Sequence, residues 1–182
     1  VLTIMGLSRL IINFLPFNNF KDCIGERTST GYIVGKMKGS DHVYITGEFK
    51  FGSNPNNKIE LAREVQGGTE EYPTLITAWP GKPRPIINGE NLGEYGIVIR
   101  NCPALRIESI ELKQCKFNGI RVLDAIQNSH LEFVNLEIHH TTEVTGSGVN
   151  GGVALETQSG CNYTVRNCVL YSNHETNGPC GG

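Results

Sequence analysis

The sequence predicts an all-β fold, a right-handed parallel β-helix built as a solenoid with three short strands per turn. Three observations support this prediction. Short apolar segments repeat along the chain, glycine and asparagine recur between them, and the extra length between repeats is confined to one loop, residues 139–151. Such repeats indicate a solenoid, because a single repeat cannot bury its apolar side alone.

Three ten-residue segments align without gaps, and they begin at Leu105, Leu131 and Tyr163. In each segment the apolar residues alternate within two triplets, and two residues separate the triplets. This pattern predicts two short strands joined by a bend. A third strand is predicted from a separate set of glycine-led segments, which are Gly96–Ile99, Gly119–Val122 and Gly152–Leu155.

The bend column of the alignment contains Ser109, Asn135 and Asn167. Asparagine tolerates left-handed backbone geometry, and its amide can form hydrogen bonds to the same column of the next repeat. The column therefore predicts a buried bend whose side chains are hydrogen-bonded along the stack.

Upstream of these repeats the pattern is weaker. Residues 1–40 have no repeat and are predicted to be a lead-in or cap, and residues 41–182 are predicted to form the β-helix domain. Residues 1–20 are too short and too interrupted to span a bilayer, and no signal-peptide cleavage site is identifiable after them. We expect strands at Val43–Phe49, Leu75–Trp79 and Pro85–Gly89, and a short helix at Lys58–Gln66.

Composition excludes several classes of protein. Lys and Arg total 16 against 18 Asp and Glu, so the net charge of −2 argues against a nucleic-acid or polybasic membrane surface. The six cysteines have no zinc-site spacing. Cys168 is expected to be a core thiol, whereas the pairing of Cys102, Cys115, Cys161 and Cys180 stays open, since six cysteines allow 15 connectivities.

A turn with the sequence Pro-Gly-Lys-Pro-Arg-Pro-Ile-Ile-Asn-Gly, residues 80–89, follows a strand and precedes the glycine-led repeats. Because the strand, the turn and the repeats follow one another in this order, residues 41–178 resemble the pectate-lyase-like β-helix superfamily, and most closely its secreted polysaccharide lyases. The resemblance implies an extracellular protein that processes an acidic polysaccharide by cation-assisted β-elimination. The superfamily also contains non-catalytic members, so the resemblance specifies fold better than activity.

In calcium-dependent members, acidic residues near one strand sheet hold Ca²⁺ while a basic residue removes the C5 proton of a uronate. On this resemblance, the candidate catalytic residues are Arg121 and His140, and the candidate substrate-binding residues are Arg100, Arg121 and His174. The candidate Ca²⁺ ligands are Asp124, Glu143, Glu156 and Glu175.

Several alternatives stay open. The chain has only three aspartates, which are few for a calcium site, and surface glutamates in loops are more often simply solvated. A non-catalytic glycan-binding or adhesin-type domain, or a structural β-helix that self-associates through an open C-terminal end, fits the same pattern.

Several neighbouring residues have simpler interpretations. Glu111 and Glu137 are expected to be exposed like charges, and Arg106 and Glu132 an ordinary cross-strand ion pair. Of His139 and His140, at most one is expected to face a groove, because adjacent strand residues point in opposite directions.

Overall fold

The computed structural model describes residues 2–6, 15–17, 23–28, 31–34, 36–51, 58–62, 67–124, 127–141, 151–155 and 161–173. The regular elements in these ranges are all β-strands, each three to six residues long. Among these residues there is no helix with the length and apolar character needed to cross a membrane.

The strands are numbered in chain order. The first four are β1 (Leu2–Gly6), β2 (Leu15–Phe17), β3 (Gly25–Thr28) and β4 (Gly31–Val34). The next seven are β5 (Asp41–Ile45), β6 (Glu48–Lys50), β7 (Ile59–Ala62), β8 (Thr74–Ala78), β9 (Ile86–Asn88), β10 (Tyr95–Arg100) and β11 (Ala104–Glu108). The last seven are β12 (Glu111–Lys113), β13 (Asn118–Leu123), β14 (His130–Val134), β15 (Glu137–His139), β16 (Gly151–Leu155), β17 (Asn162–Arg166) and β18 (Val169–Tyr171).

From β5 onward the chain contributes strands to three sheets in turn. In the first sheet β5, β8, β11, β14 and β17 are neighbours in that order, and all four pairs are parallel. The second sheet contains β6, β9, β12, β15 and β18, and the third contains β7, β10, β13 and β16, again all parallel. This arrangement is compatible with a β-helix solenoid.

The strand register confirms the aligned segments. Leu105 pairs with Leu131, which pairs with Tyr163, so equal columns of the alignment are lateral neighbours in the first sheet. Leu112 and Ile138 pair in the same way in the second sheet. The glycine-led segments are β10, β13 and β16 of the third sheet, as predicted.

The core lies between the inner faces of these sheets. One apolar cluster contains residues from all three of them, including Phe133, Leu112 and Ile120, none of which is exposed to solvent. Every second residue of a strand points into this cluster, because side chains alternate between the two faces of a sheet. The intervening residues therefore form three outer faces.

The N-terminal strands pair differently. β1 is antiparallel to β5 at the edge of the first sheet, β2 is antiparallel to β1, and β3 and β4 form an antiparallel pair. The change from antiparallel to parallel pairing occurs at β5. The predicted domain boundary at residue 40 stays a prediction.

The bends between the first and second sheets have the predicted left-handed backbone. Ser109, Asn135 and Asn167 have φ values of 59°, 52° and 54°. The Nδ2 atom of Asn135 donates a hydrogen bond to Ser109 Oγ at 3.0 Å, which links the column along the stack. The prediction that this column is buried is wrong, since Asn135 and Asn167 are exposed. The bends turn their side chains outward, where water also solvates the amides.

The predicted helix at Lys58–Gln66 is wrong over the described residues, because Ile59–Ala62 form β7, parallel to β10. Ile59 and Leu61 point into the core and Glu60 points outward, which is the two-residue alternation of a strand. The open edge of β10 provides backbone hydrogen bonds and core contacts that a weak local helical preference does not outweigh. Residues 63–66 lie outside the described part.

All five cysteines in the described residues are free thiols. Cys180 lies outside this part of the chain. Burial raises the pKa of Cys115 to about 12, so this thiol is inert at ordinary pH. Cys168 is only half-buried, although it occupies the column of the buried residues Ile110 and Leu136 and packs against the core.

Candidate functional site

Three of the predicted site residues lie together on the outer face of the third sheet. Arg100, at the end of β10, forms an ion pair with Asp124, which follows β13, with 2.5 Å between Nη1 and Oδ2. The Nε atom of Arg100 is 3.1 Å from Glu60 Oε1 in β7. Glu60 was missed from the sequence because its segment was predicted to be helical.

Arg121 lies on the same outer face. It pairs with Val98 on one side and with Ala154 on the other, and Glu60 pairs with Val98 one strand further along. Val98 and Glu60 are buried on this face, at 1% and 2% exposed, whereas the Asp124 side chain is 61% exposed. The Arg100 cluster, which comprises Glu60, Arg100 and Asp124, therefore combines one buried and one exposed carboxylate, both paired with a single guanidinium group.

Of the four predicted Ca²⁺ ligands, the described residues include only Asp124. Ca²⁺ needs six to eight oxygen ligands, but the carboxylate of Asp124 is paired with Arg100. In the part of the chain that the structure describes, no group of three or more acidic, histidine or cysteine side chains could hold a metal. Glu143, Glu156, Glu175 and His174 lie outside the described residues, so their predicted roles stay predictions.

His140 lies in the bend that follows β15 of the second sheet. Its Nδ1 atom is 2.6 Å from Nδ1 of His139, and the two rings are nearly perpendicular. The prediction that these two side chains point in opposite directions is wrong. His140 has a left-handed backbone, with φ of 56°, and this turn places its ring beside that of His139.

His139 is the buried member of this pair, with 8% of the residue exposed. Its Nε2 atom is 3.3 Å from Oε1 of Glu111, which lies on the neighbouring strand β12. The other side of the ring stacks on Tyr171 of β18, with 4.7 Å between centroids and 10° between planes. These contacts fix the position and rotation of the His139 ring.

Glu137 has its own partners one strand away from Glu111. Arg84 Nη1 lies 2.9 Å from Glu137 Oε2, and the hydroxyl of Tyr171 donates to Glu137 Oε1 at 3.0 Å. This hydrogen bond to the carboxylate raises the pKa of Tyr171. Glu111 and Glu137 are neighbours as expected, but the prediction that they are simple exposed charges is wrong.

The same outer face is polar across the rest of the sheet. Lys113 Nζ lies 3.6 Å from Glu111 Oε1 and 3.9 Å from Glu48 Oε1. Asn88 donates to Glu48 Oε1 at 2.8 Å, and this bond lowers the pKa of Glu48. We call the polar outward residues of this face the polar ladder, which comprises Glu48, Lys50, Asn88, Glu111, Lys113, Glu137, His139 and Tyr171.

A signal for the polar ladder is present in the sequence. In each aligned segment the second triplet has the form X-apolar-X: Glu-Leu-Lys at 111–113, Glu-Ile-His at 137–139 and Val-Leu-Tyr at 169–171. The outer residues of these triplets are columns just as the inner ones are. Most residues of the polar ladder therefore lie in columns that the alignment of the three segments already contains.

The outer face of the first sheet has ordinary surface pairs. Arg106 lies 3.8 Å from Glu132 on the neighbouring strand, which confirms the predicted cross-strand pair, and 3.1 Å from Glu108. An open depression of about 350 Å³ beside Arg106 is lined by residues that include His42 and Tyr72. Because of its openness and the pairing of Arg106, this depression is a weaker candidate than the polar ladder.

The last described strands leave apolar side chains exposed. Val165 is 48% exposed and Val169 is 57% exposed, whereas Phe133, in the column of Val165, is fully buried. Self-association through this end of the stack stays a prediction.

Comparison with known proteins gives no relative: no family model matches the chain, and neither the curated proteins nor the solved structures contain a significant match.

Proposed function

We propose that the three parallel sheets are the walls of a right-handed parallel β-helix of the pectate-lyase-like kind, in a secreted protein. Two features support this proposal. Each passage of the chain contributes one strand to each sheet, in constant order from β5 to β18. Left-handed residues recur at equivalent bends, as at Ser109, Asn135 and Asn167.

The proposed function is binding and β-elimination of an acidic polysaccharide along the second sheet. The observation behind it is that the polar ladder has hydrogen-bonding side chains on all five strands of this sheet. Parallel strands are about 4.8 Å apart, so the ladder extends about 19 Å perpendicular to the strands. A linear polymer lying along the stack would meet a new donor or acceptor at every strand.

The cationic side chains in and beside the polar ladder are compatible with uronate residues. Lys113 and Arg84 provide two cationic side chains, each about one-quarter to one-third exposed, and a guanidinium or ammonium group can accept a carboxylate in place of its present partner. Tyr171 adds an exposed aromatic ring that can cover the apolar side of a sugar. The carboxylates of Glu111 and Glu137 can accept hydrogen bonds from sugar hydroxyls.

Substitution of Lys113 tests the binding surface. Lys113→Met keeps the aliphatic stem but removes the charge, and we expect at least tenfold weaker binding of oligogalacturonate or oligoalginate, since a hydrogen bond to a charged group contributes about 1.5–3 kcal/mol. Lys82→Met, in the exposed turn before β9, is the matched control and should bind like wild type. Isothermal titration calorimetry measures both affinities.

Three results would contradict the proposal. These are no binding of any uronate oligomer by the wild-type protein, equal binding by the two lysine variants, and binding of a neutral glucan of the same length as tight as that of the uronate. The first result would contradict glycan binding, the second the proposed binding surface, and the third the requirement for an acidic polymer.

A non-catalytic glycan-binding domain is the second candidate. It is favoured by the Arg100 cluster, where the described carboxylates of Glu60 and Asp124 are both paired with one guanidinium group. Absorbance of the C4=C5 double bond that β-elimination creates separates the candidates, because a binding domain produces none.

A further inference from the structure

We propose that Glu111, His139 and His140 form a proton relay in which His140 is the acid–base group of a metal-independent β-elimination. The proposal rests on the function proposed above and adds the group that moves the proton. It assigns Glu111 and His139 as positioning residues. The relay follows from two contacts, Glu111 Oε1 to His139 Nε2 at 3.3 Å and His139 Nδ1 to His140 Nδ1 at 2.6 Å.

When both histidines are neutral, the contacts determine where the hydrogens lie. An ionised carboxylate only accepts hydrogen bonds, so the His139 Nε2 atom that faces Glu111 has the hydrogen. A neutral imidazole has one N–H group, which leaves Nδ1 of His139 as an acceptor. Nδ1 of His140 must then be the donor across the 2.6 Å contact. In neutral His140 the other ring nitrogen, Nε2, therefore has the free lone pair.

The relay stabilises the charged form of His140 after this residue accepts a proton. Protonation of His140 Nε2 gives an imidazolium whose Nδ1–H group already points at His139. His139 is buried and in turn donates to the carboxylate of Glu111, so a negative charge lies at the far end of the chain. His140 itself is exposed, which makes it the member of the relay that a polymer can reach.

The neighbouring side chains suit an elimination at this point. Lys113 pairs in register with His139 on the adjacent strand, so an ammonium group lies beside the relay. It can neutralise the uronate carboxylate, whose charge increases as the proton at C5 is removed. Tyr171 stacks on His139 and lies edge-on to His140, and so covers one side of the relay.

The reaction balances without a co-reactant. His140 Nε2 takes the proton from C5, and the electron pair of the C5–H bond becomes the second bond between C4 and C5. The C4–O4 bond breaks with its electron pair on O4, and His140 returns the proton to O4. The products are an unsaturated sugar and a new chain end.

Arg121 is the competing base, and chemistry favours His140. A guanidinium group keeps its proton throughout the ordinary pH range, whereas an imidazole exchanges a proton near neutral pH.

Chemical rescue tests the role of His140. His140→Gly removes the ring at a left-handed position that glycine adopts readily, so the fold should be retained. We expect at least a hundredfold loss of elimination rate on the uronate polymer in the presence of EDTA, partly restored by added imidazole. Gln114→Gly, at the equivalent bend one strand away with φ of 53°, is the matched control and should keep wild-type activity.

The positioning residues are tested by kinetics. Glu111→Gln should lower kcat about tenfold with a smaller change in KM, because it removes the charge behind the relay while the amide can still form hydrogen bonds to a sugar hydroxyl. Glu132→Gln, on the outer face of the first sheet, should change neither constant.

Each outcome decides the question. Loss with imidazole rescue supports the relay. Full activity of His140→Gly, activity abolished by EDTA, or loss only in Arg121→Ala overturns the relay and leaves the proposed function standing. Wild-type binding without any unsaturated product overturns the relay and leaves the binding surface. If wild type binds no uronate polymer at all, the proposed function fails and the relay fails with it.

Discussion

The outer faces of the second and third sheets are built by the same register but have different chemistry. On the third sheet one guanidinium, Arg100, holds both nearby carboxylates, and the adjacent Val98 is 1% exposed. On the second sheet the charges form a chain of pairs across the strands, and His140 at its edge is exposed. The two described charge patterns therefore differ, with one shared guanidinium on the third face and a chain of pairs on the second.

This difference shows what a repeated register does and does not determine. Register places side chains of equal position in columns, whether they are apolar or charged. The exposure of each column is then set by what packs over it. Glu60 and Glu137 are both outward glutamates paired with arginine, yet 2% of the Glu60 side chain and 31% of the Glu137 side chain is exposed.

The largest expected effect compares the two arginines. Arg100→Met leaves the buried charge of Glu60 without its described arginine partner and should lower the free energy of unfolding by about 3 kcal/mol. Arg84→Met removes a half-exposed pair with Glu137 and should cost about 1 kcal/mol or less. Urea unfolding at neutral pH measures both. Equal losses would show that the two faces do not differ in the way described.

A smaller effect concerns the titration of Tyr171. The Glu137 carboxylate accepts the phenol hydrogen and disfavours the phenolate, which raises the pKa of Tyr171. Glu137→Gln removes this charge and should lower the pKa of Tyr171 toward its ordinary value. Ultraviolet absorbance of phenolate during alkaline titration, with Tyr171→Phe subtracted, isolates this group among six tyrosines. Glu132→Gln is the control, and an unchanged Tyr171 pKa in Glu137→Gln would contradict the contact.

Most of the strand arrangement could be predicted from the sequence. Leu105, Leu131 and Tyr163 are lateral neighbours because apolar periodicity is a property of each strand that repeats in the next. The helix predicted around Glu60 was wrong because the local sequence of a four-residue strand carries little information about its conformation. Pairing with β10 determines that conformation instead. Tertiary pairing overrides local preference most easily in such short segments.

The site was predicted less well. Arg100, Arg121 and Asp124 do share a face, but the contact between His139 and His140 depends on the backbone angle at His140. The sequence predicts that side chains alternate along a strand, which would place these two rings on opposite faces. It does not show at which residue this alternation ends. The contact between Glu137 and Arg84 was missed because it joins residues 53 positions apart in the chain.

The central claim is that one register places outward side chains of successive strands in columns, and a cross-link tests it most directly. Glu111 and Glu137 pair in the second sheet, and paired Cα atoms there should lie within the disulfide range of about 4.4–6.8 Å. Glu111→Cys with Glu137→Cys should therefore form a disulfide under mild oxidation, seen as linked tryptic peptides by mass spectrometry. Glu111→Cys with Glu132→Cys, on different sheets, should not. Linkage in the second pair but not in the first would contradict the register and the polar ladder built on it.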